Sequence, residues 1–190
     1  GVYMMHGSPM KDHNWYRGGY QKISLPRILG VSSNIGVSRI IDEKYANNPT
    51  KFVEGLYRIG IGEPLNLEIP GYQPPIIRYP NKQNWWKTTL AWMSIGYETQ
   101  IAPINTLAFY NAIANNGRMV KPRFVKAIMR DGEVIEEFPV EVLKESICSS
   151  SALKKMQDML EGVVSKGLGK QAGSKQFHVS GKTGTAQVAQ

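Results

Sequence analysis

Two short stretches far apart in the chain hold residues with the means for chemistry, Ser32-Ser33-Asn34 and Lys182-Thr183-Gly184-Thr185. A lysine supplies fixed positive charge for a carboxylate or an oxyanion, and screening over about 8 Å at physiological salt makes such a local charge count for more than the net +8 of the chain. On a strand, alternation would put Lys182 and Gly184 on one face with Ser180 and turn Thr183 and Thr185 the other way. The glycine beside the lysine leaves an unfilled slot, and an edge strand of this kind suits an extended peptide bound by strand addition. Either stretch alone is weak: a Ser-x-Asn triplet arises often by chance, and a Lys-Thr-Gly triplet is commonly just an exposed strand.

The other polar and aromatic residues read more plainly. His6, His13 and His178 form no metal-ligand spacing and read as surface residues. Trp85-Trp86 with Trp92 could floor a sugar-binding groove, but core or loop packing is the simpler account. The lone Cys148 reads as a small packed residue; it excludes an internal disulfide framework and a multi-thiolate metal site, and fits either a reducing compartment or a secreted enzyme that avoids thiols. Lys121, Arg123, Lys126 and Arg130 read as a solvated face of a hairpin. No metal or cofactor is expected.

The elements that must position the two stretches follow from caps, breakers and periodicity. With 190 residues, 42% of them hydrophobic, the chain can fill one core of ordinary size, and no run approaches the roughly 18 apolar residues of a membrane span. Ser24-Leu25-Pro26 opens a short helix that runs to about Gly30. Ile35, Val37, Ile40 and Ile41 suit a second helix ending near Asp42, so the Ser-Ser-Asn triplet sits at a junction. A helix from Asn48-Pro49-Thr50 to about Arg58 gives way at Gly60 and Gly62 to a proline-rich connection. Pro103 starts the strongest helix, with Ile104, Leu107, Ala108, Ala112 and Ala114 facing inward and Asn116-Gly117 as its stop. A hairpin follows, Phe124 to Met129 and Val134 to Phe138 about an Asp131-Gly132 turn. Ser149-Ser150-Ser151 caps a helix carrying Leu153, Met156, Leu160, Val163 and Val164, and Phe177 to Val188 reads as a strand.

Taken as a set, these residues resemble the transpeptidase domain of penicillin-binding proteins, serine acyltransferases whose signature is Ser-x-x-Lys, Ser-x-Asn and Lys-Thr-Gly. The spacing of 150 residues from Ser32 to Lys182 is similar to that family's. So are Gly36-Val37, Met93-Ser94-Ile95-Gly96-Tyr97, Ile101-Ala102-Pro103, Ala114-Asn115-Asn116-Gly117 and Lys121-Pro122, in the order of the class B, high-molecular-mass members. Asn34, where an Asp is the alternative, looks more like the division-type enzymes. Ala102 and Glu98 depart from the family's usual residues, away from the expected acyl-transfer atoms. The resemblance implies an α/β (α+β) fold, part of the penicillin-binding and serine β-lactamase-like architecture. This chain would be mostly its helical lobe, with a hairpin and the Lys-Thr-Gly cleft strand, and residues 1–190 would be a single partial domain.

The Ser-x-x-Lys element is the missing part. Ser8-Pro9-Met10-Lys11 and Ser151-Ala152-Leu153-Lys154 match it, but 13 serines and 15 lysines in 190 residues give about one such match by chance. Ser8 is too near Ser32 and lies in a polar loop; Ser151 comes in the wrong order and reads as a helix cap with Lys154 facing water. The nucleophile is therefore expected upstream of Gly1 and further sheet strands beyond Gln190, which leaves this chain inactive alone.

For the full protein the resemblance implies D,D-transpeptidation of peptidoglycan stem peptides through a serine ester, with penicillins and other β-lactam antibiotics as mimics of the D-alanyl-D-alanine end. Ser32 would relay a proton near the leaving group, Asn34 would hydrogen-bond the substrate amide, and Lys182 would add positive potential near the Ser32 hydroxyl and the substrate carboxylate. Thr183 and Thr185 would contact the terminal carboxylate, the Thr185 amide donating to the oxyanion, with Gly184 their neighbour in the binding strand. The implied partners are stem peptides, β-lactams and membrane proteins of cell-wall synthesis, without nucleic acid, and the implied place is the outer face of the cytoplasmic membrane on an N-terminal anchor. Two other readings are a penicillin-recognising hydrolase or sensor of the same fold, and a non-catalytic module that binds an anionic polymer. The latter calls for stacking aromatics among basic residues, which Lys121 to Arg130 lack.

Overall fold

The computed structural model describes residues 1–80 and 83–185. Strands β1 (Val2–Met5) and β2 (Ser8–Lys11) lead through a 3₁₀ turn at Trp15–Arg17 to helices α1 (Leu25–Gly30), α2 (Asn34–Tyr45) and α3 (Pro49–Arg58). Next come β3 (Ile76–Ile77), α4 (Thr89–Met93), β4 (Thr99–Gln100) and α5 (Pro103–Ala114). The last part holds β5 (Met119–Val120), β6 (Ala127–Arg130), β7 (Glu133–Glu137), β8 (Val142–Lys144) and α6 (Ser150–Ser165). The strands pair antiparallel in twos, β1 with β2, β3 with β4, β5 with β8 and β6 with β7.

The chain divides into two compact units, the first made of Gly1–Phe52, Arg78–Glu98 and Lys154–Gln190, the second of Val53–Ile77 and Thr99–Leu153. In the first, β1 and β2 form a hairpin where the sequence suggested a polar loop. His6 and Gly7 take φ of 49° and 86° at its turn, the positive angles that match a two-residue turn to strand twist. Its inward Met5 and Met10 bury themselves with Ala91 of α4, and Ile35, Trp92 and Ile95 pack around them. Full burial of each such side chain contributes about 1.5–3 kcal/mol. Helix α2 runs three residues past the expected end at Asp42 and meets α1 closely: a Cβ on Gly36 would lie 2.7 Å from Ile28 Cγ1. From α6 come the buried Leu160, Val163 and Val164.

In the second unit, α5 turns Ala108, Ala112 and Ile113 inward together with a fully buried Asn105, whose amide donates to the Glu63 carbonyl at 3.2 Å. The expected inward face was wrong at Leu107, which is 61% exposed, and at Ala114. With small and apolar residues on every side, α5 offers periodicity too little contrast to fix its phase. Asn116 and Gly117, at φ of 53° and 90°, end it as expected. The β6–β7 hairpin turns at Asp131-Gly132, with β6 starting later than expected, β7 of the expected length but one residue earlier, and a register shift between Ile128 and Met129.

Residues 177–185 carry no strand pairing, against the expectation of a strand from Phe177 to Val188; positions 186–188 lie outside the described residues. Alternating apolar residues suggest a strand, but a strand also needs a ladder partner, and none is present among the described residues. No helix among them is long and apolar enough to cross a membrane.

Candidate active site

Ser32 and Lys182 come together in the first unit, while the Asn34 side chain turns to the Lys11 carbonyl; the local backbone explains the placement of Ser32. At the end of α1 the Ser33 amide donates to the Ile28 carbonyl at 3.0 Å and the Ser32 amide to that of Leu29 at 3.1 Å. This pair of bonds is a Schellman motif, and it places Ser32 at the position that requires a left-handed conformation and usually holds glycine. Ser32 adopts φ of 53° there, at a cost of about 1–2 kcal/mol for a residue with a Cβ. Strain of this kind persists only where surrounding structure enforces it.

The residues around Ser32 are held from the end of β2 and the residue after it. Ser33 is the N-cap of α2, its Oγ accepting from the Gly36 amide at 3.0 Å. The same hydroxyl donates to Asp12 Oδ2 at 2.8 Å, while Asp12 Oδ1 accepts from the Ile35 amide at 3.0 Å. Asp12 is only 4% exposed and Ser33 3%. The Asn34 side-chain amide donates to the Lys11 carbonyl at 3.2 Å, so the last residue of β2 and the one after it grip the junction.

From the other side, α1 is stitched to the end of α6. The Leu168 amide donates to the Gly30 carbonyl at 2.8 Å and Arg27 Nη1 to the Lys166 carbonyl at 3.2 Å. A Cβ on Gly167 would lie 2.3 Å from the Gly30 oxygen and 2.6 Å from that of Val163, so only glycine allows this approach. The chain then returns, the Gly181 amide donating to the Leu160 carbonyl at 3.2 Å, and delivers Lys182.

Lys182 Nζ donates to Ser32 Oγ at 2.7 Å, to the Thr183 carbonyl at 3.0 Å and to Thr183 Oγ1 at 3.2 Å. An ammonium has three N–H donors, and each finds an acceptor. Burial lowers the pKa of the amine below its ordinary value, because desolvation disfavours the charged form. The strand alternation expected for Lys182 and Thr183 does not hold, since their side chains meet. Gly184 and Thr185 are exposed, and nothing lies within 4 Å of where a Gly184 Cβ would stand. A cavity of about 450 Å³ in this unit is lined by Asp12, Ser33 and Gly36 but not by Ser32 or Lys182. Chemically, a cation bonded to a serine hydroxyl stabilises developing negative charge there and lets the hydroxyl pass a proton.

The two Ser-x-x-Lys matches are engaged elsewhere. Lys11 stands over the Trp15 ring, 4.5 Å from its centroid, and Ser8 belongs to β2. Ser151 Oγ lies 3.3 Å from Ser149 Oγ, which caps α6 through the Ala152 amide, and Lys154 pairs with Asp158. Sequence reasoning missed Asp12 and Gly167. Neither stands in a motif, and their partners lie 21 and more than 100 residues away.

Comparison with known proteins gives the family. A family described as the penicillin binding protein transpeptidase domain matches residues 1–190. The penicillin-binding protein PbpB of Mycolicibacterium smegmatis is 29% identical over 168 residues, covering 84% of this chain and 25% of its own. The peptidoglycan D,D-transpeptidase FtsI of Escherichia coli is 28% identical over 186 residues, covering 97% and 28%. The crystal structure of penicillin binding protein 3 from Mycobacterium tuberculosis complexed with ampicillin superposes with a TM-score of 0.79 at 26% identity, over 98% of this chain and 41% of that one. The chain spans about a quarter of the length of the curated relatives it matches.

Proposed function

The chain belongs to the penicillin-binding protein transpeptidase family, and from that premise we propose that the full protein is a peptidoglycan D,D-transpeptidase of the division type. The observation that carries the reading is the 2.7 Å hydrogen bond from Lys182 to Ser32, which joins the two halves of the signature across 150 residues. The division role rests on the likeness to FtsI and PbpB. The attacking serine is assigned to the part of the full protein outside these residues, since Ser8 and Ser151 are engaged elsewhere.

In this reading the serine oxygen bonds to the penultimate D-alanine carbonyl carbon of a stem peptide. The peptide bond to the terminal D-alanine breaks, and that amine leaves carrying the serine's proton. An amine of a neighbouring stem then attacks the ester, forms the cross-link and returns a proton to the serine. Ser32 lies on the path of the first proton, with Lys182 holding its hydroxyl and supplying positive potential. Asn34 hydrogen-bonds the stem-peptide amide. Thr183 and Thr185 receive the terminal carboxylate beside the open face of Gly184, and the Thr185 amide donates to the oxyanion. β-Lactams enter the same site and remain as esters. The site works on the outer side of the cytoplasmic membrane, held by an anchor outside these residues.

The test is acylation of the full-length protein by a fluorescent penicillin. Ser32→Ala should lower the acylation rate about 10²-fold or more, the range of a lost proton-transfer group. If the ammonium charge is what matters, the rate should fall as pH rises through the lowered pKa of Lys182, and Lys182→Arg, which stays charged, should keep its rate there. Absence of labelling in the wild-type protein would defeat the reading, and so would a Ser32→Ala variant as fast as wild type. Rapid loss of the label would favour a hydrolase of the same fold.

A further inference from the structure

A Schellman motif is ordinarily closed by an apolar contact between the residue after the left-handed position and the helix it ends. Here that residue is Ser33, which is polar and 3% exposed, so the usual closure is unavailable. In its place the Ser33 hydroxyl meets a carboxylate that is itself 4% exposed and whose other oxygen holds the Ile35 amide. The carboxylate thus binds residues on both sides of Asn34 and stands at the N-terminal end of the twelve-residue α2, where negative charge is favoured. The Ser33 oxygen is already an acceptor for the Gly36 amide, so its single proton is committed to Asp12.

We infer that Asp12 is the positioning residue of the site: by fixing Ser33 and Ile35 it holds Ser32 in the left-handed conformation that offers its hydroxyl to Lys182. The Asp12 carboxylate bonds to Ser33 and Ile35, the residues beside the site, and acts through the backbone of the junction. Without it, Ser32 can relax toward an ordinary conformation at the end of α1, which carries its Oγ away from the lysine. The inference rests on the reading of Ser32 and Lys182 as acyl-transfer groups.

The experiment uses the full-length protein and a fluorescent penicillin, with the dissociation constant of the pre-covalent complex and the acylation rate constant measured separately. Asp12→Asn keeps the shape and one acceptor but turns an N–H₂ toward an oxygen whose own proton then has no acceptor. Displacement of a catalytic group by about 1 Å is enough for about a 10²-fold loss. The expected result is therefore an acylation constant about 10²-fold lower, with the dissociation constant changed less than about threefold. A purely structural residue would instead reduce the fraction of protein that labels and leave the rate constant of the folded remainder unchanged, and that result would overturn the inference. Ser33→Ala removes the other end of the same bond and keeps the question decidable if Asp12→Asn does not fold. The double variant should be no slower than the slower single one, because the two changes remove one interaction. Labelled wild type with an unaffected Asp12→Asn overturns this inference alone; unlabelled wild type overturns the transpeptidase reading and this one with it.

Discussion

The α1–α2 junction in the first unit and the β6–β7 hairpin in the second both turn the chain through left-handed residues, yet they are held in opposite ways. At the hairpin, Asp131 and Gly132 take φ of 51° and 85°, and the ladder that closes the turn pairs residues 127–130 with 133–137. Ile128, Met129, Val134 and Ile135 are between 46% and 60% exposed. At the junction, Ser32 takes the same conformation without being a glycine, and to its local helix-end bonds are added bonds from Asp12 to its neighbour Ser33 and from Lys182, beyond α6. The hairpin is a local solution that tolerates change; the junction adds bonds from a distance to its local ones and stores strain at Ser32.

The sharpest test of that contrast is at the stitch beside the junction. Gly167→Val would drive a side chain into the backbone oxygens of Gly30 and Val163, neither of which can yield as a flexible side chain does. The expected loss is about 3 kcal/mol, the upper end for overpacking, read from denaturant unfolding; a loss under about 1 kcal/mol would show the approach to be slack. Ser32 itself gives the next effect. Ser32→Gly and Ser32→Ala both delete the hydroxyl, but at this conformation glycine should be the more stable by about 1 kcal/mol, the reverse of their order inside a helix. Equal unfolding midpoints would mean that Ser32 is not strained. Met129→Ala on the hairpin should change stability by less than about 0.5 kcal/mol, as exposed substitutions do. A larger loss there would place hidden packing on the hairpin and weaken the comparison.

The same division separates what the sequence made legible from what it did not. Helix α1 was readable at Leu25–Gly30 from Ser24 and Pro26, and α3 at Pro49–Arg58 from its proline and the glycines beyond, because their signals are local. The Asp131-Gly132 turn was readable for the same reason. The β1–β2 hairpin was not, since His6-Gly7 is a less telling pair and Pro9 argues against a strand. The inward turn of Asn105 in place of Leu107 is tertiary, fixed by the Glu63 carbonyl. Of the site, the signature stretches could be named, but not the conformation of Ser32, nor the bend of Lys182 back onto Thr183. The grip of Asp12 depends on a hairpin the sequence reading did not contain.

The distance along the chain between Ser32 and Lys182 also bears on the order in which the molecule comes into being. Loop closure costs grow by about 0.6 kcal/mol for each doubling of the intervening length, and contacts of wide sequence separation slow folding. The β6–β7 hairpin can close as soon as two adjacent residues turn. A hydrogen bond across 150 residues must wait until β2, α1 and the end of α6 have found one another. The bond between Ser32 and Lys182 is thus a contact of wide separation, and a partly folded chain that lacks it carries both residues without their pairing.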